Sequence, residues 1–371
     1  MVGRKGVLEN LVKAVLNQHL LRDASDVIQN LGGLCRRFSG KRVLLTGAAG
    51  FLGSQFMHFF AALNESGRLK RACQVAALDN LMRGAPDWLA PFKRRPDFRV
   101  ASQNIIQPRR LPAADFIIHA ASIASPIYYR RHPLETMDAN VIGLRNLLDH
   151  AAARTVESFL FFSSSEIYGD PDAANIPTPE TYRGNVSCTG PRACYDESKR
   201  YGETLCVNFH QVHRVPVKIV RPFNNYGPGL KITDRRVLPD FFRDVLAGRD
   251  IALLSDGRAT RTFCYISDAI TGYLLVLLSA HNGESFNIGS DAPEISMHDL
   301  AKMVIAVAGG GLRVVRRKSE DQRYLADNPQ RRCPDLAKSR SLLGYTPRVG
   351  LPEGLERTWN YYRDHPTAAE A

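Results

Sequence analysis

At 371 residues the chain is longer than one small domain needs and fits a large α/β domain with a smaller lobe. Its 44% hydrophobic and 23% charged content excludes a largely disordered protein, and no apolar run approaches the roughly 20 residues that a membrane helix needs. The formal charge of +12 admits a nucleic-acid or anionic-substrate partner, but the basic residues are scattered and show neither zinc-finger spacing nor an RNA-binding signature, so no nucleic acid and no metal is expected.

Before the first strand, Leu8, Leu11, Val12, Val15, Leu16 and Leu20 fall at helical spacing, which predicts a helical arm over 1–40 that packs on the body or on a partner subunit. Residues 41–47 (KRVLLTG) form a short apolar run, a buried parallel strand. Gly47, Gly50 and Gly53 follow, then an apolar helix from Ser54 to about Leu63. This pattern suits a dinucleotide: the first glycine allows a tight turn, the second admits the pyrophosphate, and the third lets helix and strand pack closely. Asp79 ends the second apolar run and is placed to accept from an adenosine ribose, which favours NAD over its 2′-phosphorylated form. Arg83 is the nearby residue that could hold a 2′-phosphate.

A third strand is predicted over 98–102, leading to Asn104 and Ile105 near the adenine, and a fourth over 115–120, ending beside Ala120. His119 reads as a packing residue. A helical pattern runs from about 135 to 152. A fifth strand, 159–163, delivers Ser163, Ser164, Ser165 and Glu166. Tyr195 and Lys199 lie four residues apart on one helix face, where an ammonium favours the phenolate and, with a serine hydroxyl, makes a base for a sugar alcohol. A sixth strand covers 217–221. The chain then leaves the sheet, returns to it over 262–290, and ends in a mixed segment over 291–365. Strands alternating with helices define an α/β fold, a doubly wound parallel Rossmann sheet over 41–221, with a smaller mixed α/β lobe from 222–261 and 291–365. Seven dispersed cysteines without a CxxC pair, and the lack of a signal-peptide core, fit a reduced, cytoplasmic protein.

TGAAGFLG, Asp79, the serine cluster and YxxxK together resemble the extended short-chain dehydrogenase/reductases of the nucleotide-sugar branch. SSSEIYGDP, GPRACYDESKR, the ASP at 124–126, DNPQRRCPD at 327–335 and LLGYTP resemble the UDP-glucuronate decarboxylases within it. The resemblance implies a catalytic set of Ser164, Ser165, Glu166, Tyr195, Lys199 and Arg261. It implies NAD contacts at Gly47, Gly50, Phe51, Leu52, Gly53, Asp79, Asn80, Asn104, Ile105 and Ala120, besides Tyr195 and Lys199. For the UDP-sugar it implies Ser125, Glu166, Asn224, Arg235, Arg236, Arg258 and Arg261, and it implies a homodimer paired through the helices near 135–152 and 195–212. A 4-epimerase or 4,6-dehydratase of the same family is the alternative activity. Adjacent Asp-Glu is usual in the dehydratases, and Ser165-Glu166 stands here instead. A non-catalytic NAD-binding protein is opposed by the intact Ser164–Tyr195–Lys199 set.

Overall fold

The computed structural model describes residues 16–108, 110–318 and 329–365. Leu8, Leu11, Val12, Val15 and the first two residues of the DNPQRRCPD motif lie outside them. Helix α1 (Gln18–Leu31) is capped by Asn17, whose side chain accepts from His19 and Leu20 N–H, and it buries Leu20, Asp23, Ala24, Val27, Ile28 and Leu31 along one face. That face lies against α2 (Phe51–Glu65), between strands β1 (Arg42–Thr46) and β2 (Gln74–Asp79). Covered by the sheet on one side and α1 on the other, α2 is buried from Gly53 to Ala61, which explains a helix with so little polar surface. Part of the predicted arm is therefore woven into the main core. Helix α2 also begins three residues earlier than the sequence suggests, because Gly50 is its N-cap and Gly53 sits inside the first turn.

Strands β3 (Phe98–Ser102) and β4 (Phe116–His119) precede two short helices, α3 (Pro126–Arg131) and α4 (Pro133–Asp138). The predicted helix over 135–152 is interrupted: a π turn at Ala139–Gly143 joins α4 to α5 (Leu144–Ala152). The turn lets the buried Asn140 donate to Ser198 Oγ at 2.9 Å, and that hydroxyl donates in turn to the Tyr195 carbonyl. Gly143 is needed there, since a Cβ would meet Ile105 Cδ1 at 2.7 Å. Strand β5 (Ser158–Phe162), the long helix α6 (Ala193–His213) and β6 (Val217–Pro222) follow.

The second lobe starts at β7 (Asn225–Tyr226) and holds α7 (Val237–Leu246), β8 (Ile251–Leu253) and β9 (Thr260–Arg261). Strand β10 (Cys264–Tyr265) pairs with β7, and α8 (Ile266–Leu278) leads to β11 (Ser285–Ile288), which joins the main sheet beside β6. Then come β12 (Ile295–Ser296), α9 (Met297–Val307), β13 (Val314–Arg316), β14 (Arg331–Arg332), α10 (Ala337–Leu343) and α11 (Leu351–Asp364). The main sheet has seven strands, all parallel, in the order β11-β6-β5-β4-β1-β2-β3. Its order reverses between β1 and β4, and the crevice at such a switch point is where ligands bind in open α/β sheets. The short strands β12, β9 and β14 form a separate sheet above it.

Candidate active site

One cleft of about 1720 Å³ runs from the glycine turn, past the ends of β4 and β5, into the second lobe. At its first end, Gly47 has φ +75°, and a Cβ there would lie 2.6 Å from the Ala121 amide nitrogen. A Cβ on Gly53 would meet the Gly47 carbonyl oxygen at 2.2 Å. Gly50 offers the start of α2 no capping side chain, so the helix N-terminus stays open to an anion. Asp79 accepts from Ala49 N–H at 3.0 Å and from Leu81 N–H at 2.8 Å, fixing its carboxylate against the turn. The turn, the open helix end and the fixed carboxylate fit a dinucleotide. Asn80, Asn104, Ile105, Ala120, Phe51 and Leu52 all line this part of the cleft. Asn104 Oδ1 is engaged by Ile106 N–H, and Asn146 holds the 105 and 106 carbonyls from below. Arg83 also lines the cleft, pairing with Asp234 at 2.7 Å and lying over the Tyr128 ring. His119 is buried and bonds to Thr46 Oγ1, consistent with packing.

In the middle of the cleft, Tyr195 and Lys199 project from the first turns of α6. Lys199 Nζ donates to the Phe162 carbonyl at 2.7 Å and lies 5.7 Å from the Tyr195 ring centroid. Burial pushes the lysine down to about 7. Burial also pushes the Tyr195 phenol up to about 12, against the hydrogen bond it shares with Ser164. The lowered phenol expected from YxxxK is therefore not a property of the polypeptide alone, because desolvation outweighs the Ser164 hydrogen bond. Ser164 caps the 3₁₀ turn Ser165–Tyr168 by accepting from Glu166 N–H, and Ser165 is buried beneath it.

Glu166 forms the centre of the third part. Its Oε1 and Oε2 accept from Arg332 at 2.6 and 2.7 Å, and Oε2 also accepts from Arg192 at 2.5 Å. Burial alone would raise this carboxyl; the Arg192 and Arg332 guanidiniums outweigh it and hold Glu166 at about 2. Arg261 stands beside Arg332 in the β9–β14 pairing and donates to the Thr260, Gln330 and Pro329 carbonyls. It thus fixes the backbone that carries Arg332, while burial and the Arg332 charge push it down to about 9. Glu166 thus bonds two guanidiniums directly and feels a third, Arg261, while the buried Asp196 carboxylate also acts on Arg192 and on Tyr195.

The sequence reading passes over Arg192 and Arg332. The signals were present: Arg192 lies one helical turn before Tyr195, and Arg332 sits inside the DNPQRRCPD motif. Of the other substrate candidates, Ser125 donates to the Asp234 carbonyl, Asn224 donates to the Thr262 carbonyl with φ +38°, and Arg236 pairs with Asp234. These three and the exposed Arg235 line the cleft. Arg258 is exposed and is not among its lining residues.

Residues 43–289 match the model of the NAD dependent epimerase/dehydratase family. UDP-glucuronic acid decarboxylase 5 of Arabidopsis thaliana is 37% identical over 317 residues, covering 85% of this chain and 88% of that protein. UDP-glucuronic acid decarboxylase 1 of Xenopus tropicalis is 36% identical over 87% of this chain and 72% of its own length. Among solved structures, the dTDP-glucose 4,6-dehydratase DesIV of Streptomyces venezuelae, with NAD and TYD bound, is 27% identical with a TM-score of 0.75, over 88% of this chain and 98% of that one. With the glycine cradle, the fixed Asp79 and the Tyr195–Lys199 pair in place, the chain belongs to the NAD-dependent epimerase/dehydratase family and is an enzyme that works with NAD.

Proposed function

We propose that this enzyme decarboxylates UDP-glucuronate to UDP-xylose. The observation that carries the reading is the guanidinium cluster around Glu166, set beside Tyr195. A neutral hexose has no use for guanidinium donors at that point, whereas a glucuronate brings a carboxylate two carbons from the oxidised one. NAD, when bound, supplies the hydride acceptor and returns the hydride at the end. Tyr195 takes the proton from the C4 hydroxyl, with Ser164 sharing the hydrogen bond, and Lys199 would hold the nicotinamide ribose. With C4 a ketone, the C6 carboxylate is that of a β-keto acid. Carbon dioxide leaves, its bonding electrons pass into an enolate, and Tyr195 and Ser164 stabilise that oxygen. A proton from solvent water adds at C5, and reduction at C4, with Tyr195 returning its proton to the C4 oxygen, completes the pentose without net redox change. Glu166, held ionised by two arginines, orients them rather than delivering the C5 proton. The names of the curated relatives support the same substrate.

Incubation with UDP-glucuronate and NAD is expected to give one carbon dioxide per UDP-pentose and no net NADH. A product with its carboxylate intact would replace this reading with 4-epimerisation, and loss of water from a neutral dTDP-hexose would replace it with dehydration.

We further propose a homodimer. Of the eight exposed large apolar side chains among the described residues, five (Leu134, Met137, Ile142, Tyr201 and Val212) lie on the α4, π-turn and α6 segments, which pack side by side. All seven cysteines are free thiols, which supports a reducing, cytoplasmic setting.

A further inference from the structure

Two buried donors in the cleft have no hydrogen-bond partner among the described residues. They are the hydroxyl of Tyr129, a residue only 1% exposed, and the Nε–H of Arg192, whose bond to Glu166 Oε2 is made by a terminal guanidinium nitrogen. Leaving a buried donor unsatisfied costs about 1–3 kcal/mol, so such groups are normally paired with something. Tyr129 comes from α3 and its ring is stacked on that of Tyr195, 5.1 Å between centroids and 11° from parallel. Its carbonyl accepts from Cys194 Sγ, which ties α3 to the start of α6. Arg192 is the N-cap of α6 and is close enough to act electrostatically on the Tyr129 phenol, as are Glu166 and Tyr195. Both residues line the cleft. The two donors thus share one neighbourhood, beside the residue that handles C4.

We propose that the Tyr129 hydroxyl and the Arg192 Nε–H together grip the carboxylate of the sugar, so that the site selects its substrate by charge. This rests on the decarboxylase reading and deepens it. A carboxylate has lone pairs enough on its two oxygens for both donors, and the Arg192 guanidinium makes its bond a charge-assisted one. A neutral hydroxymethyl group at the same carbon has one oxygen and no charge, and satisfies the pair poorly. Tyr129 has a second duty built into its stack: it holds the ring of Tyr195 in place, and a phenylalanine keeps that contact while losing only the hydroxyl.

The test compares binding of UDP-glucuronate and UDP-glucose to the NAD-loaded enzyme by calorimetry, in the wild type, Tyr129→Phe and Arg192→Lys. The wild type is expected to prefer UDP-glucuronate. Tyr129→Phe is expected to weaken UDP-glucuronate by about ten- to a hundredfold, the loss of one hydrogen bond to a charged group, and to leave UDP-glucose within about twofold. Arg192→Lys keeps a cation for Glu166 but lacks the Nε–H, and should shift the preference in the same direction. A preference untouched by both substitutions, or an equal loss on both nucleotides, overturns the grip and leaves the decarboxylase reading standing. A wild type that shows no preference overturns both.

Discussion

Replacing Glu166 by glutamine probes the centre of the cleft. The carboxylate receives three short bonds from Arg192 and Arg332, and the side chains involved are between 10% and 17% exposed. A hydrogen bond to a charged group is worth roughly 1.5–3 kcal/mol, and breaking a buried ion pair by removing one partner costs roughly 3–5 kcal/mol. Glutamine keeps one acceptor oxygen but brings an amide N–H₂ against a guanidinium, so a loss of about 3–5 kcal/mol in unfolding free energy is expected at pH 7. The folded pKa of Glu166 is depressed, so its contribution is complete above the ordinary carboxylate range and disappears as pH falls through about 2. The gap between wild type and Glu166→Gln should therefore be constant from pH 6 to pH 9 in urea titrations and should narrow below about pH 4.5. Turnover should fall, yet the shape of the kcat profile against pH should be the same in both proteins between pH 5 and 9. If the wild type shows a limb in that range that Glu166→Gln lacks, Glu166 exchanges a proton during turnover, and the argument from its two arginines is refuted.

Three further outcomes follow from other parts of the molecule. Gly53→Ala forces a methyl group against the Gly47 carbonyl oxygen at 2.2 Å and should abolish NADH binding, measured by fluorescence, with a lowered melting temperature. Asp23 is raised by burial to about 7, against hydrogen bonds from Tyr265 and the charge of Arg357; between about pH 4 and 7 the folded state holds more protons than the unfolded one, so this group makes stability fall as pH rises. Asp23→Asn removes that dependence, and its stability relative to wild type should improve by a few kcal/mol on going from pH 4.5 to pH 8, a difference read from urea midpoints; an unchanged difference would contradict it. Val212→Glu, at a site 71% exposed on α6, should convert a dimer to monomers in light scattering.

The parts of the site that the sequence declares are those whose chemistry is local. The glycine turn, Asp79 at a strand end and Tyr195 one helical turn from Lys199 each carry their geometry within a few residues, and each stands in the cleft. The Glu166 clamp is different. Arg332 reaches it from 166 positions away, on a two-residue strand paired to β9, and no periodicity marks such a return. Arg261 shows the converse: its position is legible, but its hydrogen bonds go to backbone carbonyls, which only the path of residues 329–330 decides. The break in the helix over 135–152 was hidden because a π turn leaves the apolar pattern on either side intact. The state of the Tyr195 phenol is not legible for a physical reason: spacing carries the distance of a charge from a phenol, but the cost of dehydrating both depends on the whole enclosure.

The way α1 is held has a consequence for the chain as a whole. Asp23 accepts from Tyr265 at 3.0 Å and pairs with Arg357, His19 pairs with Asp364 at 3.1 Å, and Asn17 meets His365 at 3.0 Å. Position 17 is thus stitched to position 365 on the rim of the same cleft. Topologically the fold is close to a closed ring. A short bridge between these two positions, with new ends opened in a surface turn, should yield a circular permutant with the cleft unaltered. A ribosome making the natural order must pass residue 357 before α1 can find the arginine that fastens it.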